Sequence, residues 1–253
     1  MWDPAAYRRY GAERSRPFFD LVARIDAERP RAVADLGCGP GELTLALAQR
    51  WPGARLEGVD SSPEMIDKAR ARGGPAVFRV GDIRDWRPAA DVDVLVTNAT
   101  LQWVPEHREL LGRWTAQLPP GAWLAMQVPG NFDAPSHRAI RQVAARHGAA
   151  HVLREAPVDD PAGYAGLLLD AGATVDAWET TYLHLLADDG AGHPVLRWVE
   201  GTALRPVKAV LDDNAWRSFR ADLAREIAAA YPVRGGRVAF PFRRIFVVAR
   251  TAV

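Results

Sequence analysis

The sequence predicts an α/β fold, with a seven-stranded, mostly parallel sheet, helices on both faces and a small helical cap. Three observations support it. Short apolar runs alternate with stretches of helical periodicity along most of the chain. A glycine turn over residues 37–41 joins the first apolar run to a helix, as in nucleotide-binding doubly wound folds. After a long interruption, an apolar run at residues 244–249 adds a last strand.

Length and composition narrow the classes of protein. A chain of 253 residues suits one α/β domain with an elaboration. Its 32 basic and 31 acidic side chains nearly balance, so nothing favours a nucleic-acid or membrane partner. The single cysteine, Cys38, excludes an internal disulfide framework and a cysteine-built metal site. No apolar stretch approaches the length of a membrane span. We therefore expect a cytoplasmic protein that acts on a small molecule without a metal.

The N-terminal segment has the pattern of two helices. One apolar helical face, expected to pack on the sheet or on a neighbouring helix, consists of Phe18, Leu21, Val22 and Ile25. Polar-tipped side chains precede it: Tyr7, Tyr10, Arg14 and Arg16. We expect residues 1–28 to form a helical lid over the cofactor pocket.

An acid stands before the glycine turn. The glycines run G-x-G-x-G, which differs from the G-x-G-x-x-G of dinucleotide-binding turns. A carboxylate at Asp35 would repel a pyrophosphate, but it would attract the amino group and sulfonium of S-adenosylmethionine (SAM). The second predicted strand, residues 55–60, ends in Asp60, which is placed to accept hydrogen bonds from a ribose diol. This pattern indicates a SAM site.

Further cofactor contacts are expected where the next strands end. The third strand, residues 76–80, leads into Asp82 and Ile83, beside the expected adenine position. The fourth strand, residues 93–98, leads into a polar segment in which Gln102 and Trp103 border the place where cofactor and acceptor meet. The complete set of predicted cofactor contacts is Asp35, Gly37, Cys38, Gly39, Gly41, Asp60, Ser61, Met65, Asp82, Ile83, Asn98 and Leu101.

The last third of the chain predicts the acceptor side of the site. A fifth strand, residues 122–128, places Gln127 and Asn131 near the functional edge of the sheet. A sixth strand covers residues 174–185, and residues 186–240 form a helical cap insertion before the last strand. We expect one domain over residues 1–253, with this insertion as the substrate cap.

Several segments resemble one known family across nearly the whole chain. They are the run at 12–17, the glycine turn at 33–41, and the segments at 59–63, 81–83, 98–103, 201–206 and 240–241. Together they resemble the trans-aconitate 2-methyltransferase family, within the class I SAM-dependent methyltransferases with a Rossmann-like fold. The glycine turn is common to many methyltransferases, whereas the N-terminal arginine run and Leu204-Arg205-Pro206 are particular to this family. One departure occurs at 241–246, where the family commonly has Pro-Arg-Leu-Phe.

The resemblance implies methyl transfer from SAM to one carboxylate of trans-aconitate, giving a monomethyl ester. A carboxylate is already ionised at neutral pH, so no general base is predicted, and catalysis would rest on proximity and alignment beside Gln102 and Trp103. Arginine grips the remaining carboxylates of a polyanion in bidentate fashion. The principal candidates for substrate binding are Arg14, Arg16 and Arg205, with Arg243 or Arg244. Further candidates for shaping the pocket are Tyr7, Tyr10, Trp103, Gln127, Asn131, Tyr182 and His184.

Other functions remain compatible with the same residues. A SAM-dependent enzyme could methylate a related small diacid or tricarboxylate, or a lipophilic phenol if its cap were lined by aromatic side chains. A non-catalytic SAM-binding module is a second alternative, although the polar segment from Asn98 to Trp103 speaks against it. A nicotinamide-dependent dehydrogenase agrees least, because the glycine spacing and Asp35 both disagree with it.

Overall fold

The computed structural model describes residues 11–253, with side chains from Ser15 onward. Its strands are β1 (Ala32–Leu36), β2 (Arg55–Asp60), β3 (Ala76–Val80), β4 (Val92–Asn98), β5 (Trp123–Pro129), β6 (Thr174–Ala187) and β7 (Arg237–Arg250). They form a seven-stranded sheet in the order β3-β2-β1-β4-β5-β7-β6. The strands from β3 to β5 in this order pair in parallel, and β7 pairs antiparallel with β5. The predicted fold class, a mostly parallel α/β sheet, is confirmed.

Helices alternate with these strands. They are α1 (Gly11–Val22), α2 (Glu42–Arg50), α3 (Pro63–Ala71), α4 (His107–Gln117), α5 (Pro135–Arg146), α6 (Pro161–Asp170), α7 (Pro194–Glu200), α8 (Arg205–Val210) and α9 (Asp213–Ala230). Short 3-10 turns cover Leu101–Trp103 and Ala150–Val152. Several helices begin as their sequences predict. Ser62, for example, caps α3 by accepting a hydrogen bond from the Met65 amide, and Pro63 follows where no donor is needed.

The described chain divides into two compact units. The first, here called the sheet unit, comprises residues 14–129, 159–180 and 244–253. The second, the helical unit, comprises residues 130–158 and 181–243, with 11–13. The expected single domain over residues 1–253, with a lid over 1–28 and a cap over 186–240, stays a prediction.

Each unit has an apolar interior of its own. In the sheet unit every residue of β1 is buried, and the apolar face predicted for α1 is buried as well, with Phe18 and Leu21 fully so. In the helical unit, α5, α7 and α9 enclose a cluster that includes Val143, Trp198 and Phe219. Burial of large apolar side chains is the main favourable contribution to folding in both units.

The last strand is longer than the sequence predicts. It begins at Arg237, so helices occupy only part of the predicted insertion, and β6 continues to Ala187. Proline is uncommon inside a strand because it donates no ladder hydrogen bond, yet Pro241 lies within β7. In the structure Pro241 is exposed, while alternate residues Val238, Phe240 and Phe242 are buried. The period-two burial of these apolar side chains therefore extends the strand past a residue that usually interrupts one.

Neither a membrane-spanning helix nor a metal-binding cluster is present among the described residues. None of the described helices has the length and apolar character that crossing a membrane requires. Within residues 11–253 there is also no group of three or more His, Cys, Asp or Glu side chains arranged to hold a metal ion.

Candidate functional site

The turn between β1 and α2 has three glycines with positive φ, and their surroundings differ. A Cβ added to Gly37, where φ is 78°, would lie 2.6 Å from Thr100 Cβ and overlap that side chain. A Cβ at Gly41 would lie 2.7 Å from the Phe78 ring. At Gly39, where φ is 54°, no atom of the described protein lies within 4 Å of the added Cβ. The turn is therefore packed against protein at its two ends and open at Gly39.

The amide groups of the turn are used within the protein. Gly37 and Cys38 donate to the Val59 carbonyl, at 2.7 and 3.1 Å, and Gly41 donates to the Cys38 carbonyl. The Gly39 amide donates to Oδ2 of Asp60 at 2.9 Å. The next helix, α2, begins after Gly41 without a side-chain cap, so its first turn keeps the partial positive charge of a helix N-terminus.

Asp60 joins the end of β2 to both neighbouring segments. Its Oδ2 accepts from the Gly39 amide, and its Oδ1 accepts from the Ser62 amide at 2.9 Å. These two bonds fix the carboxylate beside the open side of the turn. Because each carboxylate oxygen can accept more than one hydrogen bond, Asp60 retains capacity for the hydroxyl groups of a ribose.

Asp35 is a buried acid under the glycine turn. Its side chain is only 3% exposed, and Oδ2 accepts from the Thr44 hydroxyl at 2.6 Å. Burial raises the pKa of Asp35 to about 6; the Thr44 hydrogen bond opposes the rise, and the neighbouring Asp60 charge adds to it. At neutral pH the carboxylate is thus ionised at a cost, which a nearby cation would relieve.

The predicted contacts that flank this turn have different surroundings. The Cys38 side chain is buried against Ile66 and Phe78, and its burial raises the pKa of the thiol. Because its amide and carbonyl are also hydrogen-bonded, Cys38 supports the turn from the core side. Ser61 is exposed, and Met65 is half-buried at the start of α3.

The expected adenine neighbours lie after β3. Ile83 is buried, as an apolar wall would require. Asp82 accepts from the Arg84 amide at 2.8 Å and from its guanidinium at 2.9 Å, and the amide contact is the main cause of its lowered pKa. Arg84 also donates to Glu106. An adenine amino group would therefore share Asp82 with Arg84.

Buried acceptors follow the end of β4. The Gln102 amide nitrogen donates to the Ala99 carbonyl at 2.7 Å. Its Oε1, and Oδ1 of Asn98, are buried without a donor among the described residues. Leu101 is fully buried, whereas Trp103 is 51% exposed. Two unpaired buried acceptors at one strand end indicate a ligand that carries hydrogen-bond donors, because burying an unsatisfied polar atom is costly.

Strand register places four polar side chains in one row across the sheet. Asp35 pairs with Val96 on β4, so Asn98, two residues further, points to the same face. Asn98 pairs with Gln127 on β5, and Gln127 pairs with Phe246 on β7, which puts Arg244 on that face as well. The row Asp35, Asn98, Gln127 and Arg244 lies near the carboxyl ends of β1, β4 and β5, where α/β folds bind ligands.

The two adjacent arginines of β7 are placed differently. Arg244 is buried, and its Nη1 donates to Oε1 of Gln127 at 3.3 Å. Arg243 is half-buried in the helical unit, where its backbone makes two hydrogen bonds with the Asn131 side-chain amide, at 2.8 and 3.0 Å. Successive residues of a strand point to opposite faces of the sheet, so the side chains of Arg243 and Arg244 have different surroundings.

The helical unit contains a cavity of about 600 Å³. Arg243, Asn131, Phe132, Thr181 and Tyr231 contribute to its lining. The Phe132 ring is covered by the guanidinium of Arg141, 3.7 Å from the ring centre. Two of the predicted substrate residues, Asn131 and Arg243, are thus brought together at this cavity.

The remaining substrate candidates are dispersed. Tyr182 and His184 are buried, and the His184 ring stacks on Trp198 with 4.9 Å between centres. Arg205 is an exposed residue at the start of α8. The Arg16 side chain is 71% exposed and pairs with Asp20 at 3.8 Å. Tyr7 and Tyr10 lie outside the described residues, as does the side chain of Arg14.

Sequence reasoning missed two residues of the site. Thr44 holds the Asp35 carboxylate, and Thr100 packs against the Gly37 end of the turn. Thr44 had one detectable signal, since it is a polar residue beside the apolar stripe of α2 and is completely buried. Thr100 had none, because its contact with Gly37 joins segments distant in the chain.

Known proteins resemble this chain at three levels. A family model described as a methyltransferase domain matches residues 33–121. Trans-aconitate 2-methyltransferase of Mycobacterium sp. (strain KMS) is 57% identical, covering 99% of this chain and all of that protein. The enzyme of the same name from Mycobacterium tuberculosis (strain ATCC 25177 / H37Ra) is 52% identical, over 98% of this chain and 96% of its own length.

Solved structures of low sequence identity share the fold. The YcgJ protein of Bacillus subtilis has a TM-score of 0.64 at 12% identity, covering 94% of this chain and 99% of its own. Phosphoethanolamine N-methyltransferase 2 of Haemonchus contortus, in complex with phosphomonomethylethanolamine and S-adenosylhomocysteine, has a TM-score of 0.56 at 13% identity. That match covers 94% of this chain and 53% of the other.

Proposed function

Because the chain belongs to the trans-aconitate 2-methyltransferase family, we propose that it transfers a methyl group from SAM to one carboxylate of trans-aconitate. It is a SAM-dependent methyltransferase. The observation that carries the proposal is identity above 50% along nearly the full length of relatives with this name. The row of polar side chains from Asp35 to Arg244 supports it independently.

The residues of the turn fit SAM. Gly39 leaves open the space that a side chain would fill, so a nucleoside can approach the backbone there. Asp60 would receive the ribose hydroxyls. The buried carboxylate of Asp35 and the unpaired carbonyl oxygen of Asn98 would face the positively charged amino group of the cofactor. When bound, SAM supplies an electrophilic methyl group on its sulfonium.

Methylation of a carboxylate requires the protein mainly to position the acceptor. A carboxylate of trans-aconitate is ionised at neutral pH, so its oxygen attacks without a general base. The protein would hold the remaining carboxylates and align the reacting oxygen with the methyl group, which supplies several kcal/mol in favourable cases. Gln102 and Trp103 would border the reacting atoms. The proposed cationic contacts remain Arg14, Arg16, Arg205, Arg243 and Arg244. The proposal includes a cytoplasmic location for the enzyme.

Methyl transfer from labelled SAM to a panel of acids tests the proposal. The panel contains trans-aconitate, cis-aconitate, citrate, isopropylmalate and a lipophilic phenol. We expect base-labile methyl ester with trans-aconitate and a lower kcat/KM for the others. Failure to form ester with any acid, despite measurable SAM binding, would contradict the proposed reaction and favour a binding module. A higher kcat/KM for the phenol than for the acids would show that the acceptor is a phenol and not a carboxylate.

Arg205→Ala is expected to raise KM for trans-aconitate and leave SAM affinity nearly unchanged. Arg205 is exposed in the helical unit, so its removal should not disturb folding. Loss of one charge-assisted contact corresponds to about 1.5–3 kcal/mol, roughly ten- to hundredfold in KM. Lys208→Ala, an exposed cation on the same short helix, is the matched control. An unchanged KM in Arg205→Ala would remove this residue from the site.

A further inference from the structure

Gln127 and Arg244 form a buried polar pair in the sheet unit. Their residues are 1% and 6% exposed, respectively, and Nη1 of Arg244 lies 3.3 Å from Oε1 of Gln127. They come from β5 and β7, which are antiparallel neighbours. Burying an amide is unfavourable unless each of its polar atoms finds a partner, so the remaining polar atom of the Gln127 amide calls for a specific explanation.

The contact fixes the orientation of the Gln127 amide. Since a guanidinium only donates, Oε1 must face Arg244, and Nε2 then points elsewhere. Nε2 is buried and has no acceptor among the residues that the structure describes. An unsatisfied buried N–H costs about 1–3 kcal/mol. A ligand oxygen at this position would satisfy it.

The charge beside Gln127 indicates which ligand group fits. An amide donor next to a guanidinium favours an anion, and the planar fork of arginine matches a carboxylate. The wall beside the pair is apolar, since Phe246 stacks on Trp178 with 4.9 Å between ring centres. An anion on an organic skeleton therefore fits better than a strongly hydrated inorganic ion.

The position along the sheet separates this pair from the expected place of the cofactor. Asp35 lies on β1, and Gln127 lies two strands away, on β5. Neighbouring strands are about 4.8 Å apart, so about 10 Å separates the two positions. The amino and carboxylate groups of SAM sit on one carbon. If the amino group of SAM faces Asp35 and Asn98, the carboxylate of SAM stays near β1 and β4.

We propose that Gln127 and Arg244 form a carboxylate subsite that holds a non-reacting carboxylate of the acceptor. The inference rests on the proposed function and adds a specificity rule to it. An acceptor needs a second carboxylate at a fixed distance from the reacting one. Acids that lack it cannot satisfy Nε2 of Gln127 and should be poor substrates.

Two conservative variants test the subsite. In Gln127→Glu, the new carboxylate lies beside Arg244 and repels the acceptor anion. In Arg244→Lys, the positive charge is kept but the planar fork of the guanidinium is lost. We expect KM for trans-aconitate to rise roughly tenfold or more in each, because a charge-assisted contact is lost. The affinity for SAM, measured by calorimetry, should stay within about twofold. Arg250→Lys is the control, since Arg250 lies at the other end of β7 and donates to the Gly121 carbonyl.

The outcomes separate this inference from the function on which it rests. Ester formation by the wild-type enzyme with unchanged KM in both variants would overturn the subsite and leave the function standing. A large loss of SAM affinity in folded variants would assign the pair to the carboxylate of the cofactor and overturn the proposal equally. No ester with the wild-type enzyme would overturn the function and the subsite together.

A substrate series gives a test that does not depend on folding of the variants. The wild-type enzyme is assayed with trans-aconitate and with unsaturated acids that have successively fewer carboxylates. We expect kcat/KM to fall by roughly tenfold or more when the carboxylate held by the subsite is absent. Equal kcat/KM along the series would overturn the proposal.

Discussion

Gly37→Ala is expected to destabilise the protein strongly and to abolish SAM binding. A Cβ at this position would overlap Thr100, lying 2.6 Å from its Cβ, and the backbone has a φ of 78°. Overpacking typically costs about 1–3 kcal/mol, and a left-handed conformation adds about 1–2 kcal/mol for an L-residue. Urea unfolding followed by circular dichroism measures the loss. We expect about 3 kcal/mol, accompanied by undetectable cofactor binding.

Gly39→Ala is the matched control for this experiment. It also has a positive φ, but no described atom lies within 4 Å of the added Cβ. We expect a small loss of stability, near the left-handed cost alone, with a native circular dichroism spectrum. SAM affinity should nevertheless fall by at least about tenfold, because the methyl group fills space assigned to the nucleoside. Wild-type affinity in Gly39→Ala would show that the cofactor does not lie over the turn.

The strands of the sheet could be predicted from the sequence because buried strands consist mainly of apolar residues. Parallel strands are covered on both faces, so β1 and β4 are mainly apolar in sequence. The sequence predicts a last strand from residue 244, whereas β7 begins at Arg237. The alternation of buried apolar side chains with exposed neighbours accounts for the strand over 237–243. Local propensity was overridden by packing in the helical unit.

The site was predictable where it depends on strand ends. Asp60 and Asn98 were found because polar residues that terminate apolar runs stand out. Contacts between distant segments were not found. Gln127 and Arg244 are 117 positions apart, and their pairing follows from the β5–β7 register. The choice between Arg243 and Arg244 likewise depends on which face of β7 each occupies, and the sequence alone does not fix that alternation.

The second large effect concerns Asp35, whose ionisation links folding to cofactor binding. Its pKa is about 6 in the folded protein and 3.8 in the unfolded chain. A raised pKa means that the stabilising contribution is complete below pH 3.8 and is lost as the pH rises through about 6. Above that range the buried charge costs about 3 kcal/mol, at about 1.4 kcal/mol for each pKa unit.

Asp35→Asn is therefore expected to raise the stability of the cofactor-free protein and to lower its affinity for SAM. The amide can still accept from the Thr44 hydroxyl, so the local hydrogen bond is kept. At pH 8 the variant should gain up to about 3 kcal/mol of unfolding free energy, whereas at pH 4 the two proteins should be nearly equal. Asp176→Asn, which removes an exposed ion pair with Arg24, should change stability by less than about 1 kcal/mol.

Cofactor affinity should show the opposite dependence on pH. In the wild-type protein the ionised Asp35 attracts the positive charges of SAM, so we expect binding to tighten as the pH rises through about 6. In Asp35→Asn the affinity should be at least about tenfold weaker at pH 8 and nearly independent of pH between 5 and 8. Calorimetric titration at several pH values measures both. A variant that binds SAM as tightly as wild type at pH 8 would exclude Asp35 as the counter-charge. In that case the acid before the glycine turn would serve only to hold Thr44 and the start of α2.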